Sequence, residues 1–498
     1  MEAGTFAKAF FAENGMVRHH IDSFNTFLNE GMQRVVDETS GIVPAIIPEG
    51  CVEYRIKFGK ISVGEPVVKE ADGSANLLSP MEARFRELTY SAPIRMELIT
   101  EKDGIRGESV EAVIGDLPIM VRSQKCVLAK LNENELIEMG EDPLEPGGYF
   151  IINGTERVLI AIEDLIPNMP LMEKKDSGPA LEMARLFSEA PGFRVPHLFE
   201  RLKDGTIRVS FARVQRIPAV SLIMALGISK DEDIMNLVTK RAELAEEIIV
   251  NLEETPDDIK TTADALDWIG RQLKIGQGKE YRTERVEELL DQYLLPHIGR
   301  DKSSRLEKAY YIGNVMEKLI KLSYDEIIAD DKDHYGNKRL KLPGELVEQL
   351  FRAAFKALVN DMKYSFERIT KRGREPPIAT IVRAQLLTSR LDSALATGYW
   401  VGGRSGVSQH LQRLNYMDTI SHLRRVLSPL TTSQPHFEAR ELHPTHWGLL
   451  CASETPEGQS IGLRKNLALF AKITYGYGGK DTRTVLGKLG VKAPWEGK

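Results

Sequence analysis

The sequence predicts a multidomain α+β protein, and three observations predict it. The chain has 498 residues, and at roughly 150 residues per domain a single hydrophobic core is unlikely to organise all of them. Residues 50–165 hold short β-branched and aromatic runs bounded by turn residues. After residue 230 the apolar side chains recur at helical steps instead.

The β-rich part comes first. CVEYRIKFGKISVGEPVV, PIRMELI, PIMVRS and YFIINGTERVLIAIED have strand length and are separated by Gly, Pro and Asp signals. Pro167 and Pro170, in a polar stretch, mark a boundary after them. Ile234, Leu237, Val238, Leu244, Ile248 and Leu252 then recur at three- and four-residue steps, the mark of amphipathic helices. Residues 230–300 carry 17 acids against 10 bases, an excess larger than the formal net charge of −6, so the rest of the chain is about neutral. A second stripe, Leu346, Leu350, Phe351, Ala354, Phe355, Leu358 and Met362, starts after Pro343-Gly344 and runs into Lys371-Arg372-Gly373-Arg374. Both stripes read as core-packing faces.

Composition excludes several functions. A net charge of −6 rules out a basic coat for bulk nucleic-acid binding but leaves room for a local basic groove. Cys51, Cys126 and Cys451 lie far apart, so neither a disulfide framework nor a thiolate zinc site is expected. No stretch approaches the roughly 18 apolar residues of a membrane span, and the first residues lack a secretory pattern. A cytoplasmic location is the expectation.

The chemistry concentrates late in the chain. A phosphate-cradling loop fails at Thr474–Asp481, which has Thr for the first Gly and Asp for the final hydroxyl. Asp231-Glu232-Asp233 reads as a helix entry. Asp330-Asp331-Lys332-Asp333 reads as a charged turn with Lys338, Arg339 and Lys341 as internal partners. Residues 401–470 hold five of the ten histidines and seven bases against five acids. There Gly402, Gly403 and Gly406 surround Arg404, so backbone can approach a ligand while a guanidinium reaches an anion. Arg424-Arg425 follow His422, and Arg440, His443 and His446 precede ETPEGQ, a spacing that suits phosphate contacts from several short elements. His443 and His446 lack a third metal ligand of suitable spacing, and Pro444 disfavours a metal-binding helix. A zinc hydrolase on these histidines would carry stoichiometric metal. Ser405 and Ser408 lack a nucleophile-elbow context.

RSGVSQHLQRLNYMDTISHLRRVLSPL and ELHPTHWGLLCASETPEGQSIGLRKNLALF closely resemble the fork region of the second-largest subunit of multisubunit DNA-directed RNA polymerases. LTYSAPIRMEL, DLPIMVRSQKC, GGYFIINGTERVLIAIED and DDKDHYGNKRLKL are similar to successive segments of that subunit's protrusion and lobe. The resemblance implies a protrusion over 1–170 and 341–400, a lobe over 171–340, a fork over 401–475 and the start of an external region over 476–498. It implies either the N-terminal half of a split subunit, called B double-prime in archaea, or a piece of a longer chain.

It further implies nucleotidyl transfer to an RNA 3′ end as part of a complex, with no activity alone. No cofactor is expected on this chain, since the family's magnesium ions belong to a carboxylate triad of the largest subunit. The implied partners are the C-terminal half (B prime), the largest subunit, other polymerase subunits, general transcription factors, and the DNA template with its RNA:DNA hybrid. No membrane is implied. By position, Arg404, Gln409, Gln412 and Arg413 would lie near the hybrid, and His422, Arg424 and Arg425 would face RNA and the incoming nucleotide. Glu457 would orient basic groups near the active centre, and Arg440, His443, Arg464 and Lys465 complete the nucleic-acid-proximal set. The competing reading is a non-catalytic nucleic-acid-binding transcription scaffold.

Overall fold

The computed structural model describes residues 3–490 apart from 49, 71–72, 176, 257, 277, 374–375 and 475–478. Tertiary contacts divide the chain into two units. The first comprises Met1–Ile162, Leu342–Gln434 and His446–Lys498, and the second Glu163–Lys341 with Pro435–Thr445. The segment 401–475 is therefore shared, because its residues 435–445 belong to the second unit.

In the first unit the strands Tyr54–Val63, Ser91–Lys102 and Ile105–Pro118 form an antiparallel sheet with Ser91–Lys102 in the middle. Ala92, Ile94, Met96 and Leu98 alternate toward the core and are fully buried. Asp103 and Gly104, at φ 51° and 77°, close the hairpin between Lys102 and Ile105. Asp-Gly suits such a turn because both positions need the left-handed region.

PIMVRS is not a strand. Ile119, Met120 and Val121 are fully buried, but in an irregular segment that turns at Arg122, φ 65°. Its amides reach two separate stretches, Ile119 N–H donating to the Tyr90 carbonyl and Val121 N–H to the Tyr149 carbonyl.

The helix Pro343–Thr370 carries the second stripe, and every residue of that stripe is buried. It begins one residue pair earlier than the stripe suggests, with Pro343 in its first turn, where the missing N–H costs nothing. Gly344 lets this helix meet the helix Arg18–Thr26 backbone to backbone: a Cβ there would lie 1.9 Å from the Ser23 carbonyl oxygen. Gly344 N–H donates to Ser23 Oγ at 3.1 Å. The helix ends before Lys371–Gly373, with Gly373 at φ 72°, and Arg374 lies outside the described residues.

The second unit has its own core. Five antiparallel strands run in the order Val214–Pro218, Ile207–Phe211, Phe193–Leu202, Ala180–Ala190 and Leu171–Lys174. Helices from the acidic segment and the helix Arg305–Ser323 supply Ile234, Ile248, Ile269, Ile312 and Met316 to that core. Leu237 and Leu252, at the edge of the stripe, are only partly buried. Asp231-Glu232-Asp233 form the first turn of the helix Asp231–Val238, where carboxylates face the positive end of the dipole. In the charged turn, Asp333 pairs with Lys338 at 3.2 Å, whereas Arg339 donates to carbonyls and Lys341 pairs with Glu189 and Asp164.

Gly344→Ala forces the two first-unit helices apart and is expected to cost about 1–3 kcal/mol of stability. Chemical denaturation of the full chain checks this, and an unchanged midpoint contradicts the close approach.

Candidate nucleic-acid interface

Residues 404–427 reach the first unit through backbone pairing. Ser408–His410 lies antiparallel to Thr155–Leu159, with Gln409 opposite Val158. The pairing continues on both sides through Ile160 N–H to the Val407 carbonyl and Leu411 N–H to the Glu156 carbonyl, both at 3.0 Å. Asn153-Gly154, at φ 49° and 71°, turns Phe150–Ile152 back on Thr155–Leu159 and completes the small sheet. The helix Tyr416–Leu423 follows, capped by Asn415, whose Oδ1 accepts from Asp418 N–H at 2.8 Å. Then Arg425–Leu427 runs parallel to Ala161-Ile162 and antiparallel to Arg464–Asn466.

His422, only 2% exposed, organises this region. Its Nδ1 accepts from Gln412 N–H at 3.1 Å, and its Nε2 faces Gln409 Oε1 at 3.2 Å. One ring nitrogen accepts and the other donates, the pattern of a neutral imidazole. Burial, with Arg425 next in weight, pushes its pKa down to about 4, so the ring is uncharged at neutral pH. The Gln412 side chain in turn accepts from Arg425 at 3.3 Å. Gln409, Gln412, His422 and Arg425 thus form one hydrogen-bonded chain.

Cross-strand register adds Arg464. Arg425 is opposite Asn466 and Leu427 opposite Arg464, so Arg425 and Arg464 share one face and Val426 and Lys465 the other. Among the described residues neither Arg425 nor Arg464 makes an ion pair. Burial and then the Arg464 charge lower the pKa of Arg425, against the opposing charges of Asp418 and Glu454. Glu454, the nearby carboxylate, accepts from Ser421 Oγ instead.

Other expected residues are placed differently. Arg413 is committed to protein carboxylates: it grips Glu156 with two nitrogens at 2.7 and 2.9 Å, pairs with Glu145 at 3.0 Å and lies over the Tyr149 ring. Arg84 joins the same cluster through Glu141, Glu156 and the Tyr149 hydroxyl. Burial works to raise the pKa of Glu156, but the two guanidiniums hold it below the usual carboxylate range. Arg424 turns inward and donates to the carbonyls of Met16, Ala468 and Leu469. Arg404 lies in a tight glycine turn where Trp400 N–H donates to its carbonyl at 2.8 Å. Glu457 is exposed at the start of the turn Gly458–Ser460, in a loop that Thr455 stitches to Gly462 and Arg464. Lys465 is buried.

Arg440 and His443 belong to the second unit. Arg440 Nε donates to the Pro435 carbonyl, and His443 faces Asp331 at 2.9 Å and Thr445 at 2.6 Å. Among the described residues no group of three or more His, Cys, Asp or Glu side chains could hold a metal ion. Residues 475–478, half of Thr474–Asp481, lie outside the described residues. No described helix is long and apolar enough to cross a membrane.

The family described as "RNA polymerase beta subunit" matches residues 15–389, and "RNA polymerase Rpb2, domain 3" matches 409–473, the span that carries the hydrogen-bonded chain and Arg464. The protein belongs to the RNA polymerase beta-subunit family. Within it, similarity extends over nearly the whole length of proteins named DNA-directed RNA polymerase subunit Rpo2N. The one from Methanocaldococcus jannaschii is 47% identical over 94% of this chain and 94% of its own. The one from Methanococcus vannielii is 46% identical over 95% and 96%. Subunit Rpo2 of Saccharolobus shibatae is 46% identical over 97% of this chain, which spans 43% of that longer relative.

His20, His197 and His422 are each buried with pKa pushed by burial down to about 4, against 6.5 when unfolded. The unfolded state therefore binds more protons between these values, so their stabilisation is full above pH 6.5 and is lost as pH falls toward 4. The denaturation midpoint of the full chain is expected to drop over that window, with a shallower drop for His422→Gln. Identical pH profiles for the two proteins contradict the neutral-imidazole assignment.

Proposed function

We propose that this chain is the N-terminal half of the second-largest subunit of an archaeal DNA-directed RNA polymerase, acting in the cytoplasm. With the C-terminal half and the largest subunit it forms the cleft that holds DNA template and RNA:DNA hybrid while nucleotides are added to RNA. Other polymerase subunits and general transcription factors complete its partners. The first unit corresponds to the protrusion and most of the fork, and the second to the lobe with fork residues 435–445.

The observation that carries this reading is the shared face of Arg425 and Arg464, neither in an ion pair among the described residues, with Arg425 oriented through Gln412, His422 and Gln409. Guanidinium groups there neutralise phosphate without reading bases, so grip is independent of template sequence. Phosphoryl transfer rests on positioning and charge neutralisation, which such a face supplies. Because His422 is uncharged, it orients Arg425 without adding a competing cation. Arg424 and Arg413 are positioning residues: the first ties the segment to the Met16 and Ala468 backbone, the second to Glu156. Glu457 borders the loop that carries Arg464. We assign the magnesium of the reaction to the largest subunit.

In polymerase assembled with the chain, Arg425→Ala is expected to slow elongation about tenfold, or about 1.4 kcal/mol, with assembly intact. Arg424→Ala is expected to reduce assembly instead. Unchanged elongation in Arg425→Ala contradicts the assignment and favours a scaffold without contact to the reacting strand.

A further inference from the structure

A groove of about 860 Å³ lies on the second unit, between the hairpin at Ala212, the end of the helix Thr262–Gln272 and the helix Lys279–Tyr293. Its volume falls within the range of about 300–1,000 Å³ usual for ligand sites. Two features bear on what it could hold.

The first is charge. Residues 230–300 carry 17 acids against 10 bases, and Arg241, Arg271, Lys279, Arg282 and Arg285 of this segment pair with carboxylates, the Arg285 and Glu288 pair on the groove wall itself. Arg213 and Lys274 line the groove and make no ion pair or hydrogen bond with any described side chain. Tyr281 and Tyr293, 49% and 38% exposed, present aromatic faces beside them, and Gln215 and Gln292 add amides.

The second is backbone strain. Lys274 follows the helix Thr262–Gln272 in the left-handed region, φ 57°, and Ile275 N–H closes back on the Gly270 carbonyl at 3.1 Å. That position is normally glycine. Ala212 holds φ 48° in the two-residue turn between Phe211 and Val214, where glycine is again the unstrained choice. Two wall residues of one groove thus keep side chains that the backbone disfavours, two of the eleven non-glycine residues at positive φ among the described residues.

We infer that this groove binds an acidic peptide segment of a partner protein, with two carboxylates on Arg213 and Lys274 and an apolar or aromatic residue against Tyr281 and Tyr293. Nucleic acid fits less well. A polyanion needs many phosphate contacts, whereas the groove offers two cations without an ion pair, Arg213 and Lys274, enough for two carboxylates but not for a run of phosphates. Tyrosines and side-chain amides suit the alternating apolar and amide surface of a peptide.

The test is fluorescence anisotropy on the full chain. The probe is a labelled eight-residue peptide of alternating Glu and Phe, set against a single-stranded oligonucleotide of equal net charge. Saturable peptide binding is expected, weakened at least tenfold by Arg213→Glu and by Lys274→Glu, and tighter than oligonucleotide binding. Lys274→Gly separates function from folding: it is expected to raise the melting temperature by relieving the strained φ, while weakening peptide binding. Absence of peptide binding, binding unaffected by these variants, or tighter binding of the oligonucleotide overturns the proposal.

Discussion

The pairing of Ser408–His410 with Thr155–Leu159 is the constraint on which the candidate interface depends. It joins segments about 250 residues apart and fixes which side chains of the later segment face outward. Glu156 secures one end by gripping Arg413, and the parallel run of Arg425–Leu427 beside Ala161-Ile162 secures the next stretch. Without that ladder Gln409, Gln412 and Arg425 have no common frame. A bidentate carboxylate–arginine pair suits the task because its fork geometry fixes direction as well as distance.

On this frame, burial sets chemical character. His422 loses its charge because desolvation and neighbouring guanidiniums penalise the imidazolium, and a neutral ring can accept at one nitrogen and donate at the other. Arg425 donates to Gln412, and neither it nor Arg464 makes an ion pair among the described residues. Arg424, one residue away, saturates backbone carbonyls and closes the segment over Met16. Adjacent arginines therefore do opposite work, one facing outward and one holding the loop.

Much of the fold was legible because it is written in local period. The stripe from Leu346 to Met362 is a buried helix face, and Asp103-Gly104 and Asn153-Gly154 are hairpin turns of the kind their residues favour. PIMVRS misled because a short apolar run such as Ile119–Val121 reads alike in a strand and in a buried irregular segment; only the partners of its amides separate the two. Within the candidate site, the concentration of basic and histidine residues was legible, but its division was not. Nothing local says that Arg413 will meet Glu156, 257 positions away, or that Arg440 and His443 will fold with the second unit. The Arg84, Glu141 and Tyr149 cluster was missed for the same reason: its members are scattered, and no spacing announces them.

The central claim is that the Arg425 and Arg464 face lies against nucleic acid. The most direct measurement is a structure of the polymerase assembled with this chain on a DNA template and RNA primer. The account predicts at least one of the two guanidiniums within about 3 Å of a phosphate oxygen of template or RNA. Both lying more than about 10 Å from any phosphate, beyond one Debye length at about 0.1 M salt, would contradict it.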